Sequence, residues 1–308
     1  MVSYMEEKKK VEGATEVAPS KKRYKELAKE YDALDLEYIR AKNAIKDQKR
    51  EQLRDLKDSY KIKKLELRSP LKAQKYANKV DARKRHAAMN EAPKRGLLEE
   101  IANSISHGLG AGIGLVALIL MILKSHDGWS LAAAIIYGCC FFFQMLFSCL
   151  YHAFRGGSTV KRIFRRFDYS SIYLEIGGTL TPLYLLYMGQ HPLFGVLGET
   201  WGIAFFMAVW ALIIIGITFV AIFGPGRLRW LHFTLYFVIG WSAIMFIPTW
   251  INETLPLFLW IIAGGVTYTL GMIPFAALRK KPVAHFIWHL VVLLAAIFMW
   301  IGIYLYVF

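Results

Sequence analysis

Cysteine is scarce in this chain and narrowly placed. The three cysteines, Cys139, Cys140 and Cys149, all fall in one apolar stretch. That argues against a disulfide framework and against a cysteine zinc site. Acidic residues are scarce over most of the length as well: of 23, only Asp127, Asp168, Glu175, Glu199 and Glu253 lie beyond residue 100. A soluble domain of that length carries many more charges on its surface, so the deficit excludes one. The N-terminus lacks the short basic region and apolar core of a secretory signal, and a long charged stretch stands there instead, predicting no signal peptide. That stretch mixes its basic residues with acids, which speaks against nucleic acid as its partner.

What the chain does have is divided in two. It is 56% hydrophobic yet carries a formal net charge of +15, and residues 1–98 hold 27 of its 38 Lys and Arg. This is the composition of a membrane protein with a basic soluble extension. Residues 1–20, poor in apolar side chains, read as disordered. Residues 21–95 read as a charged helical arm. Within it Tyr24, Leu27, Tyr31, Leu34, Tyr38, Ala41 and Ile45 alternate at spacings of three and four, a heptad seam. Leu53, Leu56 and Tyr60 resume the seam out of phase, Ser69-Pro70 interrupts it, and a second helix is expected over about 71–88. The arm is read either as a coiled coil for self-association or a protein partner, as a basic surface for anionic membrane, or as a solvated helical hairpin.

Beyond residue 100, apolar runs of about 20 residues alternate with short loops, and each such run is long enough to cross a bilayer as a helix. Spans are predicted at about 103–124, 131–153, 169–187, 201–223, 230–249, 256–277 and 283–306. The expected fold is all-α, a polytopic membrane protein with a seven-transmembrane helix bundle over 97–308 and a cytoplasmic helical or coiled-coil N-terminal arm. Trp201, Trp230, Trp250 and Trp300 lie near predicted ends, as interfacial aromatics do. Arg155, Lys161, Arg162, Arg165, Arg166, Arg227, Arg229, Arg279, Lys280 and Lys281 occupy loops on one side, against Lys124 on the other. By the positive-inside rule the arm is cytoplasmic and the C-terminus lies outside, in a plasma (inner) membrane.

This orientation sets four ionisable residues at one depth, the cytoplasmic edge. His152 ends the second span, Asp168 opens the third, and His285 and His289 start the seventh, one helical turn apart. Any one such histidine reads as an interfacial residue with a satisfied hydrogen bond. Three imidazoles with one carboxylate suit Zn²⁺, bound by His152, His285 and His289, with Asp168 either a ligand or the holder of a metal-bound water. Ser148 and Gln144 share the His152 face, and Ser148 is read either as polarising a substrate carbonyl or as a packing residue. Glu175 shares the Asp168 face, as a proton relay or a hydrogen-bonded packing residue. Glu100, Asn103 and His107 lie at helical spacings in span one, as partners that orient metal ligands or as a helix start with one polar contact. His232 is read as an isolated structural histidine.

From about Leu97 to Phe308 the chain resembles the hemolysin III family, within the progestin and adipoQ receptor superfamily. Four pieces carry the resemblance: Glu100-x-x-Asn103-x-x-x-His107, Ser148-x-x-x-His152, Asp168 ahead of Gly178-Thr179-Leu180-Thr181-Pro182, and His285-x-x-x-His289. The resemblance implies a cytoplasmic-side zinc site, with His152, His285 and His289 as ligands, Asp168 contacting zinc through water, and Ser148 beside it. It implies kinship with membrane hydrolases of the alkaline-ceramidase type. The leading expectation is a zinc-dependent hydrolase of lipid amides or esters, with Asp168 and Ser148 catalytic and the substrate drawn from the cytoplasmic leaflet. The alternatives are a pore-forming, cytolytic membrane protein and a zinc-stabilised receptor or scaffold.

Overall fold

The computed structural model describes residues 21–93, 95–191, 198–277 and 282–308. Every regular element among them is helical. The stretch expected to be disordered, 1–20, and the basic Arg279, Lys280 and Lys281 lie outside the described residues. The chain divides into two compact units, one up to Arg83 and one over Lys84–Phe308.

The first unit is a helical hairpin. Helix α1 (Lys21–Glu66) ends at a turn through Leu67, and α2 (Pro70–Met89) begins with proline at its first position, where the missing N–H breaks no bond. The Ser69 carbonyl accepts from Ala73, starting the new ladder. α2 folds back along α1 through Asp58, which accepts hydrogen bonds from Tyr76 (2.9 Å) and from Arg83. Lys61 lies over the Tyr76 ring at 4.5 Å. Of the heptad seam, the described side chains of Leu34, Tyr38 and Ile45, and of Leu53, Leu56 and Tyr60 after them, are all exposed.

The second unit is built from α3 (Leu97–Lys124), α4 (Gly128–Ala153), α5 (Thr159–Pro182), α6 (Glu199–Phe223), α7 (Arg229–Gly240), α8 (Leu255–Ala277) and α9 (Pro282–Tyr306). α5 continues through a π-helical turn, Leu183–Tyr187, and Met188–Gln190. Pro182 has no N–H to give to the ladder, and the wider turn follows it directly. α7 continues through a 3-10 segment, Trp241–Phe246, into Ile247–Glu253. Among the described residues six helices are long and apolar enough to cross a membrane: α3, α4, α6, α7 with its continuation, α8 and α9. Their outward residues form an apolar belt, including Leu109, Ile119, Met207, Ile214, Leu259 and Leu294. Such a surface is stable against lipid and unstable against water. The protein is a multi-pass, all-helical membrane protein.

The predicted third span, 169–187, falls within α5 and is absent from those six. α5 carries Lys161, Arg162, Arg165, Arg166 and Asp168 in its first half, and it packs between α4 and α6 with residues 177–182 all buried. Gly178 lets it seat on α4, since a Cβ there would lie 2.5 Å from that of Cys140. Gly138 does the same between α4 and α3, against Leu118. Small residues at such crossings are how membrane helices approach closely. Two of the expected interfacial tryptophans are corrected. Trp201 and Trp230 are exposed, but Trp250 is buried against Phe246, and Trp300 stacks on Tyr304 beside the core. Each 3-10 residue turns about 20° further than an α-helical one, so the segment before Trp250 rotates the following helix by about 120° and carries it inward.

Asp58 is held below the usual carboxylate range chiefly by its hydrogen bond from Arg83, then by that from Tyr76. Its contribution to the hairpin is therefore present above the ordinary carboxylate pKa and is lost as pH falls through the depressed value. Asp58→Asn is expected to speed amide hydrogen exchange in α2 while leaving α3–α9 unchanged, and acidification of the wild type should do the same. Unchanged α2 exchange in the variant would refute the pairing.

Candidate metal centre

Two helices bring three imidazoles to one point. α4 carries Gln144, Ser148 and His152 at intervals of four, one face of the helix, and all three are buried. The first full turn of α9 carries His285 and His289. Across the helix pair, His285 Nε2 lies 3.3 Å from His152 Nε2 and 3.1 Å from His289 Nε2. One ligand atom from each of the three lies within 4.8 Å of the others. A tetrahedral metal with bonds of about 2.0–2.1 Å to imidazole nitrogen has ligand–ligand edges of about 3.3–3.4 Å. The two measured separations are those of such an edge, so the three residues fit a metal ion.

The surroundings fit as well. His152 Nδ1 donates to Glu100 Oε2 at 2.6 Å, which fixes the tautomer that leaves the Nε2 lone pair free for a metal. The other Glu100 oxygen accepts from the Lys161 ammonium at 2.9 Å. Glu100, read either as an orienting partner or as part of a helix start, is thus hydrogen-bonded to His152. His107 touches the centre differently: its ring packs on His289 at 3.9 Å between centroids, and its Nε2 donates to the His289 carbonyl at 3.3 Å. It braces the helix that carries a ligand, and the ligand nitrogen itself is untouched. Asn103 is buried with neither side-chain atom hydrogen-bonded, so it orients no ligand by that means.

Asp168 stands outside the 4.8 Å histidine cluster, so the geometry offers it as a neighbour of the metal rather than as a fourth direct ligand. Asp168 shares its surroundings with Ser148, one turn before His152 on α4. Both residues, with His107, His285 and His289, line a cavity of about 180 Å³ that continues between α5, α7 and α8 past Ile172, Ile176 and Leu180 to Trp250. Glu175 lines the same cavity and receives a long bond, 3.5 Å, from the Tyr268 hydroxyl. Among the described residues no hydrogen bond connects Glu175 to Asp168. His232 is buried and bonded to the Tyr173 hydroxyl at 2.9 Å, a structural histidine as expected.

Sequence reasoning missed Lys161 and Arg165, which it treated as loop charges. Lys161 is 1% exposed and paired with Glu100, while Arg165 lines the cavity and bonds the carbonyls of Asn90 and Glu91. The signal was available. Lys161, Arg165, Asp168, Ile172, Glu175 and Thr179 alternate at spacings of four and three, one continuous stripe of α5. Starting the span at residue 169 cut the stripe in half. Arg95 was missed as well: it lines the cavity and pairs with Glu99 at 3.2 Å.

Glu100→Gln should weaken metal retention about 10- to 100-fold, the usual effect of removing a carboxylate behind a ligating histidine. Metal content after dialysis against graded chelator checks this, with helicity measured in parallel. Wild-type retention in a folded variant would remove Glu100 from the centre.

The family described as Haemolysin-III related matches residues 95–300, which include every histidine of the centre and Asp168. The chain is 37% identical to Hemolysin-3 of Bacillus cereus over 213 residues, covering 68% of this chain and 92% of that protein. It is 35% identical to the Hemolysin-3 homolog of Bacillus subtilis (strain 168) over 199 residues, covering 63% and 88%. The chain therefore belongs to the hemolysin III family, within the progestin and adipoQ receptor superfamily.

Proposed function

We propose that the protein is a zinc-dependent hydrolase of lipid amides or esters, ceramidase-like, acting on membrane lipids. The observation that carries this reading is the convergence of His152, His285 and His289 on one point at the wall of a cavity that is polar there and apolar beyond. Three imidazoles leave a tetrahedral ion an open position, the arrangement of catalytic rather than structural zinc. In this reading α5 is a seventh span, enclosed by its neighbours, so its surface need not be apolar all round. The basic α4–α5 and α6–α7 turns lie at the end of the bundle that holds the histidines, which supports a cytoplasmic site and a cytoplasmic arm.

Bound zinc would supply a Lewis acid that polarises a carbonyl and acidifies water. The chain's residues do the rest. His152, held by Glu100, keeps its donor atom aimed at the site. Asp168 accepts the proton lost by the attacking water and returns it to the leaving amine or alkoxide. Ser148, which lines the cavity with Asp168, is the hydroxyl we assign to the developing oxyanion. The acyl chain lies along Ile172, Ile176 and Leu180, out of water, with the head at the cytoplasmic leaflet.

An unbiased lipid panel incubated with the purified protein should show release of fatty acid from one amide or ester class. Asp168→Asn should retain zinc and lose about 10²- to 10⁴-fold in turnover. No hydrolysed lipid with a zinc-loaded protein, or full turnover in Asp168→Asn, would refute the reading. The Bacillus relatives bear names that speak of lysis, and a pore-forming activity is the second reading. Lysis that survives loss of all three histidines would favour it.

A further inference from the structure

The mechanism leaves one cluster in the cavity without a role. Glu175, 4% exposed, has its Oε2 without a hydrogen-bond partner, and Gln144, also 4% exposed, has its Oε1 in the same condition. Both line the cavity, together with Thr179 and Tyr268, so α4, α5 and α8 each present a polar group to it at this level. The Tyr268 hydroxyl satisfies one Glu175 oxygen only at 3.5 Å. An unpaired polar atom buried in an apolar setting costs free energy comparable to a lost hydrogen bond, and a carboxyl group costs more than an amide. Along one helix, Glu175 follows Asp168 by seven residues, which puts it about 10 Å further into the cavity. The walls near this level are otherwise apolar: Ile172 precedes Glu175, and Ile176 and Leu180 follow it.

We propose that this cluster is a second polar station that recognises a hydroxyl group part-way along the lipid chain, so that the preferred ligand is a mid-chain hydroxylated acyl lipid. A plain acyl chain would cover Glu175 Oε2 and Gln144 Oε1 with hydrocarbon and leave both unbonded. A hydroxyl about 10 Å from the head group donates its one proton to Gln144 Oε1 and accepts from the Glu175 carboxyl in its protonated form. Glu175 and Gln144 are specificity-determining residues in this account and take no part in bond breaking. The proposal rests on the reading that the cavity holds an acyl chain with its head beside the histidines, but not on hydrolysis.

The test is therefore binding. Purified full-length protein in nanodiscs is titrated with stearate, 2-hydroxystearate and stearates hydroxylated at positions 9 to 12, using displacement of a fluorescent fatty acid. At least one mid-chain isomer is expected to bind about tenfold more tightly than stearate, the equivalent of one hydrogen bond gained. The 2-hydroxy isomer should show no such gain. Glu175→Leu should abolish the preference and tighten stearate, while Glu175→Gln, which keeps a hydrogen-bonding group and guards against a folding artefact, should retain most of it. Equal affinities in the wild type, no binding of any fatty acid, or a preference that survives Glu175→Leu would overturn the proposal. Zinc content and lipid turnover are read separately, so failure here leaves the hydrolase reading standing, and failure of hydrolysis leaves the binding result intact.

Discussion

A polar side chain inside an apolar helix bundle is costly unless other polar groups reach it, and this requirement organises the membrane unit. His285 lies within hydrogen-bonding range of both His152 and His289, although 133 residues separate it from His152. Glu100 and Lys161 form the layer behind them, and His107 packs on His289 from α3. Removing Lys161 would leave Glu100 Oε1 without that partner. The helices are brought close enough for this by Gly138 and Gly178, where the facing chain occupies the space of a side chain. Packing and polar satisfaction are thus one constraint, and the opening at the polar end of the cavity follows from it.

The same constraint explains which parts of the site were legible in sequence. Four-residue spacings on α4 and α9 survive folding unchanged, because each lies in regular helix, so the histidines and Ser148 could be assigned to shared faces. Loop charge then set their depth. Hydropathy was less informative for α5. A helix surrounded by protein is not bound to be apolar, so the boundary drawn at residue 169 separated Lys161 and Arg165 from the stripe they share with Asp168 and Glu175. Asn103 had the right spacing without the contact, since spacing fixes a face and says nothing of reach. Trp250 lies near a span end in sequence, as an interfacial residue would, and its burial comes from packing on Phe246, which position along the chain does not reveal.

The N-terminal arm follows different physics. Its hairpin is held by Asp58 with Tyr76 and Arg83, and its heptad residues Leu34, Tyr38 and Ile45 remain exposed. The family match begins at residue 95, so the arm is a feature added to the shared membrane unit. The linker after it is tied to that unit: Asn90 donates to the Phe223 carbonyl and accepts from Gly226. Arg165 in turn holds the Asn90 and Glu91 carbonyls.

The central claim is that three imidazole nitrogens from α4 and α9 bind one metal ion. X-ray absorption at the metal edge of the purified protein tests it most directly. The account predicts one equivalent of zinc with imidazole nitrogen at about 2.0–2.1 Å, a light-atom fourth ligand and no sulfur. A sulfur shell, or a folded protein from which metal is absent after purification with zinc supplied, would contradict it.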